Sequence, residues 1–172
     1  MVIPLQEDIL SIRQDTIDRF GIPEWEKCVL TNLIHGHLGI YSLIGVKMGL
    51  RAQELLGAEG PVVAVRSFAG SIPPVSCLND GLQISTGSTL GRGLITLAPE
   101  AAARPEAEFS FAGKTIRLGL KVAYAQQIET DIQAAKARFG QTPAYWQAVR
   151  EAAIRYWNTW DRGLIFDLLP IA

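Results

Sequence analysis

The sequence has few cysteines, and it lacks an excess of charge of either sign. Cys28 and Cys77 are the two cysteines among 172 residues, which is too few for a disulfide framework. The 16 basic and 17 acidic residues give a formal net charge of −1 at pH 7. Because neither a basic patch nor a recognition motif is present, we expect no binding to nucleic acid.

The sequence also lacks a long hydrophobic run. Its most apolar stretch, residues 38–50, contains Lys47 and is shorter than the about 20 residues that a membrane-spanning helix needs. The first 15 residues include three acidic residues and no apolar region of the kind that a signal peptide has. These absences predict a cytoplasmic protein without a membrane partner.

Apolar residues recur at helical spacing near both ends of the chain, and short β-branched segments lie between them. The spacing predicts helices over residues 5–20, 25–33, 40–56, 123–139 and 144–160. It predicts strands over residues 61–68 and 94–99, a hairpin over 108–120, and an edge strand or docking arm over 164–171. This order predicts one α+β domain over residues 1–172, in which a mixed or antiparallel sheet of about four to five strands packs against N-terminal and C-terminal helices.

Two glycines, Gly45 and Gly49, lie four residues apart within the helix predicted over residues 40–56. They therefore share one face of that helix. Since glycine inside a helix is destabilising, we expect another backbone, from a sheet or a partner helix, to approach this face closely.

Both histidines of the chain lie in a His35-Gly36-His37 element directly before this helix. In an extended or looped segment, residues two apart point to the same side. The two imidazoles could therefore converge on one metal ion, since imidazole binds zinc, nickel, copper and iron. Alternatively, one histidine caps the helix and the other forms a hydrogen bond in the core.

Cys77 and Asp80 are the next candidates for such a site. Cys77 follows a double proline and lies near a predicted helix start, where the helix N-terminus favours the thiolate that binds metal. Asp80, three residues on, shares a helical face with Cys77. His35, His37 and Cys77, with Asp80 as a fourth ligand or supporting base, make a donor set that suits zinc. In the alternative interpretation, which the spacing supports equally well, Cys77 is a small buried residue and Asp80 caps the helix.

A glycine-rich loop over residues 87–93 combines flexible backbone N–H groups with Ser88, Thr89 and Arg92. Such a loop can hold a carboxylate or a phosphate, although the P-loop pattern is absent. Lys114, in the predicted hairpin turn, could add a second positive charge or simply be solvated.

An aromatic group closes the last predicted helix. Trp157 and Trp160 are three residues apart on one helical face, with Tyr156 beside them. We expect these rings to pack against the core or a dimer partner, and not to bind a ligand.

Three blocks of this sequence, taken together, resemble the family of E-type subunits of molybdenum or tungsten formylmethanofuran dehydrogenase, which are not the catalytic molybdopterin subunits. The blocks are HGHLGIYSLIGVKMGLRAQELLG, CLNDGLQISTGSTLGRG and GKTIRLGL, all within residues 34–120, and residues 123–160 form a C-terminal helical extension. The resemblance implies an α+β fold in which the blocks meet in one pocket, often with zinc or another divalent transition metal, and commonly a homodimer.

The resemblance also implies roles for individual residues. His35, His37 and Cys77 would be metal ligands, and Asp80 and Cys77 would be catalytic. Thr86, Thr89 and Lys114 also match the family pattern and would bind a small anionic organic molecule. The chemistry of the glycine-rich loop adds Ser88 and Arg92 to this set, and the departure at Gly39-Ile40 adds Tyr41.

The sequence departs from the family pattern at two thiols. The Cys-Pro that follows His-Gly-His in the family is Gly39-Ile40 here, and the cysteine of its T-G-C-T pattern is Ser88. These losses favour a histidine-rich site, or a pocket for an organic ligand without metal, over thiolate-rich chemistry. Tyr41 could supply a phenol to the space that the missing cysteine leaves.

Two functions are compatible with these features. In the first, the chain binds a metal and a small anionic ligand and acts in one-carbon or molybdenum/tungsten enzyme metabolism. In the second, it is a non-catalytic accessory or ligand-sensing domain with a vestigial pocket, and the aromatic C-terminal helix docks a partner. Whether the chain is an enzyme stays open.

Overall fold

The fold combines seven α-helices with one five-stranded sheet in the residues that the computed structural model describes, 5–58, 63–99 and 103–171. The helices are α1 (Glu7–Ser11), α2 (Arg13–Phe20), α3 (Ile22–His35), α4 (Ile40–Leu56), α5 (Leu78–Thr86), α6 (Val122–Phe139) and α7 (Pro143–Thr159). The strands are β1 (Ala64–Ser67), β2 (Ile95–Leu97), β3 (Glu106–Phe111), β4 (Lys114–Leu120) and β5 (Phe166–Leu169). The predicted α+β class is confirmed.

The sheet is mixed, with the strand order β2-β1-β3-β4-β5. β1 and β2 run parallel, whereas the β1–β3, β3–β4 and β4–β5 pairs are antiparallel. The predicted hairpin is confirmed: Phe111 pairs with Lys114 across Ala112 and Gly113, which both have positive φ, as a tight hairpin turn requires. The apolar tail is the edge strand β5, which was one of its two predicted roles.

Several predicted boundaries differ from the observed ones. The helix predicted over residues 5–20 is two helices, because the chain leaves helical geometry at Ile12 (φ −96°, ψ 0°). The helix predicted over 25–33 runs from Ile22 to His35, since Pro23 is tolerated in a first turn and a left-handed Gly36 ends the helix. Of the strand predicted over 61–68, residues 61 and 62 lie outside the described residues. The helix predicted over 40–56 coincides with α4.

Helices α4 and α5 are in backbone contact, as the two glycines of α4 predicted. A Cβ atom added at Gly45 would lie 2.2 Å from the Leu78 carbonyl oxygen, and one at Gly81 would lie 2.0 Å from the Ser42 carbonyl oxygen. One turn further along, Gly49 faces Ser85. Later residues of α4 meet later residues of α5, so the two helices run parallel and their N-termini lie at the same end.

A buried ion pair lies in the core between α3 and α4. Lys47 and Glu24 are both fully buried, and Lys47 Nζ lies 2.5 Å from Glu24 Oε1. Lys47 also donates to the Trp157 carbonyl oxygen at 3.2 Å, and Arg162 Nη1 donates to Glu24 Oε2 at 2.9 Å. The charge of Lys47, which interrupts the most apolar stretch of the sequence, is therefore balanced by Glu24 inside the protein. Among the described helices, none is long and apolar enough to cross a membrane.

The aromatic residues at the end of α7 pack within the chain. Trp157 is fully buried and stacks on Trp25 with ring centroids 4.9 Å apart. Trp160 stacks on Tyr156 at 3.9 Å. The aromatic rings at the end of α7 thus pack against the core of the same chain, which was one of the two predicted arrangements. Trp157 is therefore not available for docking a partner.

The α4–α5 contact predicts a large effect for Gly81→Ala. The new methyl group would clash with backbone atoms, which cannot rotate away, so we expect the free energy of unfolding to fall by about 3 kcal/mol. Urea denaturation followed by circular dichroism measures this change. Gly91→Ala is the matched control, because a Cβ atom there meets nothing within 4 Å. Equal stability of the two variants would contradict the close contact.

Candidate functional site

The His-Gly-His element forms the turn between α3 and α4. His35 is the last residue of α3, Gly36 takes a left-handed conformation with φ 82°, and α4 begins at Ile40. This turn brings the two imidazole rings together, with centroids 4.4 Å apart and planes inclined by 39°. The prediction that the side chains of His35 and His37 point to the same side of the chain is therefore confirmed.

Asp80 holds the ring of His35. His35 Nδ1 lies 2.7 Å from Asp80 Oδ2, and the side chains are 10% and 34% exposed. Asp80 reaches this position because it lies in the first turn of α5, whose N-terminus is at the same end as that of α4. A carboxylate accepts this hydrogen bond when Nδ1 carries a proton, and in the tautomer with its proton on Nδ1 the lone pair is on Nε2.

The Nε2 atom of His35 is buried and has no hydrogen-bond partner among the described residues. It faces Gly39: a Cβ atom added there would lie 3.0 Å from Nε2 and 3.2 Å from Cδ2. The imidazole therefore occupies space that a larger side chain at position 39 would need. Glycine at position 39 therefore allows the ring to pack against the backbone.

His37 lies on the outer side of the turn. Partial burial, and then the neighbouring charge of His35, lower the pKa of His37 below its usual value of 6.5. Its imidazole is therefore neutral near pH 7. A neutral imidazole can bind a metal ion or can form hydrogen bonds as donor and acceptor.

Cys77 ends a short 3₁₀ turn, Val75–Cys77, that leads into α5. Its thiol is partly buried. Burial, and then the nearby Asp80 carboxylate, raise the pKa of Cys77 above its usual value. Burial and Asp80 therefore oppose the effect of the helix N-terminus, which favours the thiolate.

The described side chains do not form a complete set of metal ligands. Within residues 5–58, 63–99 and 103–171, no three His, Cys, Asp or Glu side chains are grouped so that they could hold an ion. The carboxylate of Asp80 is directed at His35. A zinc site usually has three or four protein ligands, so these residues fit a metal only in part. The ligand set of His35, His37 and Cys77 stays a prediction.

The polar groups of the glycine-rich loop are engaged within the loop and its surroundings. The buried Thr86 hydroxyl donates to the Leu82 carbonyl oxygen at 2.6 Å, and the buried Ser88 hydroxyl donates to that of Val63. Arg92 Nη1 donates to the Gly87 carbonyl oxygen at 2.8 Å. Thr89 precedes the 3₁₀ turn Leu90–Arg92. These contacts give the loop a structural role alongside the predicted binding role.

The predicted anion-binding residues fall into separate groups: Thr86 and Ser88 are joined by a hydrogen bond from the Ser88 N–H to the Thr86 hydroxyl oxygen, whereas Tyr41 and Lys114 do not lie together. Thr86 is six residues beyond Asp80 in α5, which is about 9 Å along the helix axis. Tyr41 and Leu120 line one cavity, whereas Lys114 is exposed at the other end of β4, about 20 Å from Leu120. Tyr41 and Lys114 therefore lie apart in the described part of one chain, and the single pocket that the resemblance implies stays a prediction.

Tyr41 is partly buried at the start of α4. Burial, and then the carboxylate of Glu129, raise the pKa of Tyr41 above its usual value. The phenol therefore keeps its proton near neutral pH and offers a hydrogen-bond donor to the cavity that it shares with Leu120. The sequence suggested that this phenol fills the space of the missing cysteine, and in the structure it lines a cavity together with residues of α6.

Sequence reasoning missed the residues on the outer side of His37. A cavity beside this histidine is lined in part by Leu38 and by two residues of α7, Trp146 and Arg150. Arg150 binds Asp8 through two hydrogen bonds, from Nε at 2.7 Å and from Nη2 at 2.9 Å. The spacing of Trp146 and Arg150 indicates a shared helical face. Only the tertiary fold places that face beside His37.

Two comparisons with known proteins bear on this site. A family model described as "FmdE, Molybdenum formylmethanofuran dehydrogenase operon" matches residues 34–167. A probable S-adenosyl-L-methionine-binding protein of Archaeoglobus fulgidus is 37% identical over 59 residues, which are 33% of this chain and 16% of that protein. The second match thus spans a small part of the archaeal protein's length. Because the family model covers most of the chain, including the His-Gly-His turn, α5 and the hairpin, the protein belongs to the FmdE family of the molybdenum formylmethanofuran dehydrogenase operon.

Proposed function

We propose that this chain is an accessory protein of molybdenum/tungsten enzyme or one-carbon metabolism that binds a small anionic organic molecule at His35 and His37. His35 and His37 would also hold a divalent transition metal, preferably zinc. Family membership supports the metabolic setting. The observation that carries the site is the hydrogen bond of 2.7 Å between His35 and Asp80, which leaves the buried Nε2 of His35 without a partner. A homodimer in the cytoplasm is part of the same proposal.

The His35–Asp80 pair supports this proposal through its chemistry. A carboxylate that accepts the Nδ1 proton fixes the ring and makes Nε2 more basic, which is the usual arrangement around a metal-binding histidine. The same pair can take a proton from a bound molecule, as a general base does. Both uses need Nε2 to meet a ligand, so the ring must turn slightly away from Gly39.

The available metal-ligand atoms limit how a metal ion could be bound. His35 and His37 would hold the metal through imidazole nitrogens, and the described side chains form no group of three possible ligands. Bound zinc would act as a Lewis acid toward an anionic oxygen or water. The protein's part is to bring the two imidazoles together and to orient His35 through Asp80.

A second candidate is a ligand-sensing domain without metal or catalysis. The packing of the His35 ring against Gly39 favours it, because a ring in this position has lost direct access to solvent on its Nε2 side. Under this alternative, the histidines stabilise the turn between α3 and α4. The ligand then binds elsewhere on the surface.

Elemental analysis of protein purified without a histidine tag tests the metal. We expect close to one zinc per chain in the native protein and loss of zinc in the His35→Ala/His37→Ala double variant. Asp80→Asn should weaken zinc binding by about tenfold to 100-fold, the usual effect of removing a carboxylate that orients a ligand histidine. Asp167→Asn, an exposed carboxylate on β5, is the control. Substoichiometric metal that does not change in the double variant would exclude the metal site.

Gly39→Ala should displace the imidazole of His35. The new methyl group would lie 3.0 Å from Nε2, so the ring must move and its bond to Asp80 should lengthen or break. Nuclear magnetic resonance of the imidazole nitrogens reports the loss of the Nδ1–H hydrogen bond. Gly91→Ala should leave the same signals unchanged. If Gly39→Ala also leaves them unchanged, the ring does not depend on glycine at this position.

The lowered pKa of His37 predicts a pH dependence. A depressed folded-state pKa means that His37 stabilises the fold fully above its unfolded value of 6.5 and that this contribution is lost as the pH falls through the folded-state pKa. In His35→Gln, which removes the neighbouring charge, the pKa of His37 should rise toward 6.5. Titration of the His37 ring signals in both proteins measures the difference, and an unchanged or lower pKa would contradict it.

A further inference from the structure

A cavity of about 600 Å³ lies between the His-Gly-His turn and the first turns of α7. This volume is within the range of small-molecule sites, roughly 300–1,000 Å³. Its apolar wall includes Leu38, Val149 and Trp146, and His37 and Arg150 are among its polar residues. An apolar wall with a few polar groups is the usual composition of a ligand site.

Trp146 gives this cavity an accessible aromatic surface. Its side chain is 60% exposed, whereas Trp25 and Trp157 are buried in the core. Tyr145 meets Trp146 edge to face, with centroids 5.0 Å apart and planes inclined by 73°. This neighbour orients the indole, and an oriented indole can stack on a flat ring at little entropic cost.

The polar groups of the cavity can form hydrogen bonds, and the arginine among them is already paired within the protein. The guanidinium of Arg150 is paired with Asp8 through two hydrogen bonds, so its charge is balanced within the protein. The imidazole of His37 lines the same cavity and has ring nitrogens that can form hydrogen bonds. These groups match an uncharged partner that has both a hydrogen-bonding edge and a flat surface.

We propose that this cavity binds an uncharged heteroaromatic ring, which stacks on Trp146 and forms a hydrogen bond with the imidazole of His37. This binding goes beyond the proposed metal and anion site, because it needs neither a metal ion nor the His35–Asp80 pair. Binding of the heteroaromatic ring depends on Trp146, whereas binding of the metal depends on His35. The two proposals can therefore fail separately.

Calorimetric titration of the full, metal-free chain with adenosine tests the proposal. Adenosine carries a flat, uncharged heteroaromatic ring with a hydrogen-bonding edge, and ribose is the comparator without that ring. We expect saturable binding of one adenosine per chain and no binding of ribose. Trp146→Ala should weaken adenosine binding by about tenfold, as expected when a stacking surface is lost. Trp146→Phe should retain most of the affinity.

Further variants separate the ring site from other causes. Leu90→Ala removes an equally prominent apolar side chain outside the cavity and should bind adenosine normally. Gln147→Trp adds bulk at the cavity wall and should block binding even if Trp146→Ala perturbs folding. His35→Ala should keep adenosine binding whatever it does to the metal.

Three results would overturn the proposal. The first is the absence of saturation with adenosine at millimolar concentration. The second is equal affinity of the native protein, Trp146→Ala and Gln147→Trp. The third comes from size-exclusion chromatography: if Trp146→Ala converts a dimer to a monomer and adenosine has no effect, the cavity is a self-association surface.

Discussion

The backbone contact between α4 and α5 at Gly45 and Gly81 determines the geometry of the candidate site. Because the two helices run parallel and touch at residues without side chains, the first turn of α5 lies beside the loop that precedes α4. Asp80 therefore reaches His35 at 2.7 Å. A shift of one helical turn, about 5.4 Å, would separate the carboxylate from the imidazole. The site thus depends on two glycines that carry no functional group.

A second constraint holds α3, which supplies His35. Glu24 lies near the start of this helix and is fully buried between Lys47 of α4 and Arg162, which follows α7. Removal of one partner from a buried ion pair typically costs about 3–5 kcal/mol, because the other charge stays buried. The pair therefore fixes the first turns of α3 against α4, and the His35–Asp80 bond fixes its last turn against α5. Both ends of the helix are held by polar contacts.

Much of the fold could be predicted from local patterns. The bounds of α4 follow from apolar spacing and from Gly57, the hairpin follows from Ala112-Gly113, and Gly45 with Gly49 indicates a close backbone neighbour. The site could be predicted less well, because its properties depend on burial and tertiary placement. Cys77 is at a helix start, yet burial and Asp80 oppose the effect of that position on its pKa. The distance of Lys114 from Tyr41 depends on the direction of β4.

His37 connects the two proposed binding regions of the protein. Its ring lies 4.4 Å from that of His35 on one side, and on the other side it lines the cavity with Trp146. His35, His37 and Asp80 lie in or beside the turn between α3 and α4, whereas Trp146 is on α7. A molecule with a flat ring and an anionic group could therefore contact both regions through one imidazole. Because residues that share a neighbour are rarely independent, occupancy of one region should alter the other through the charge and orientation of His37.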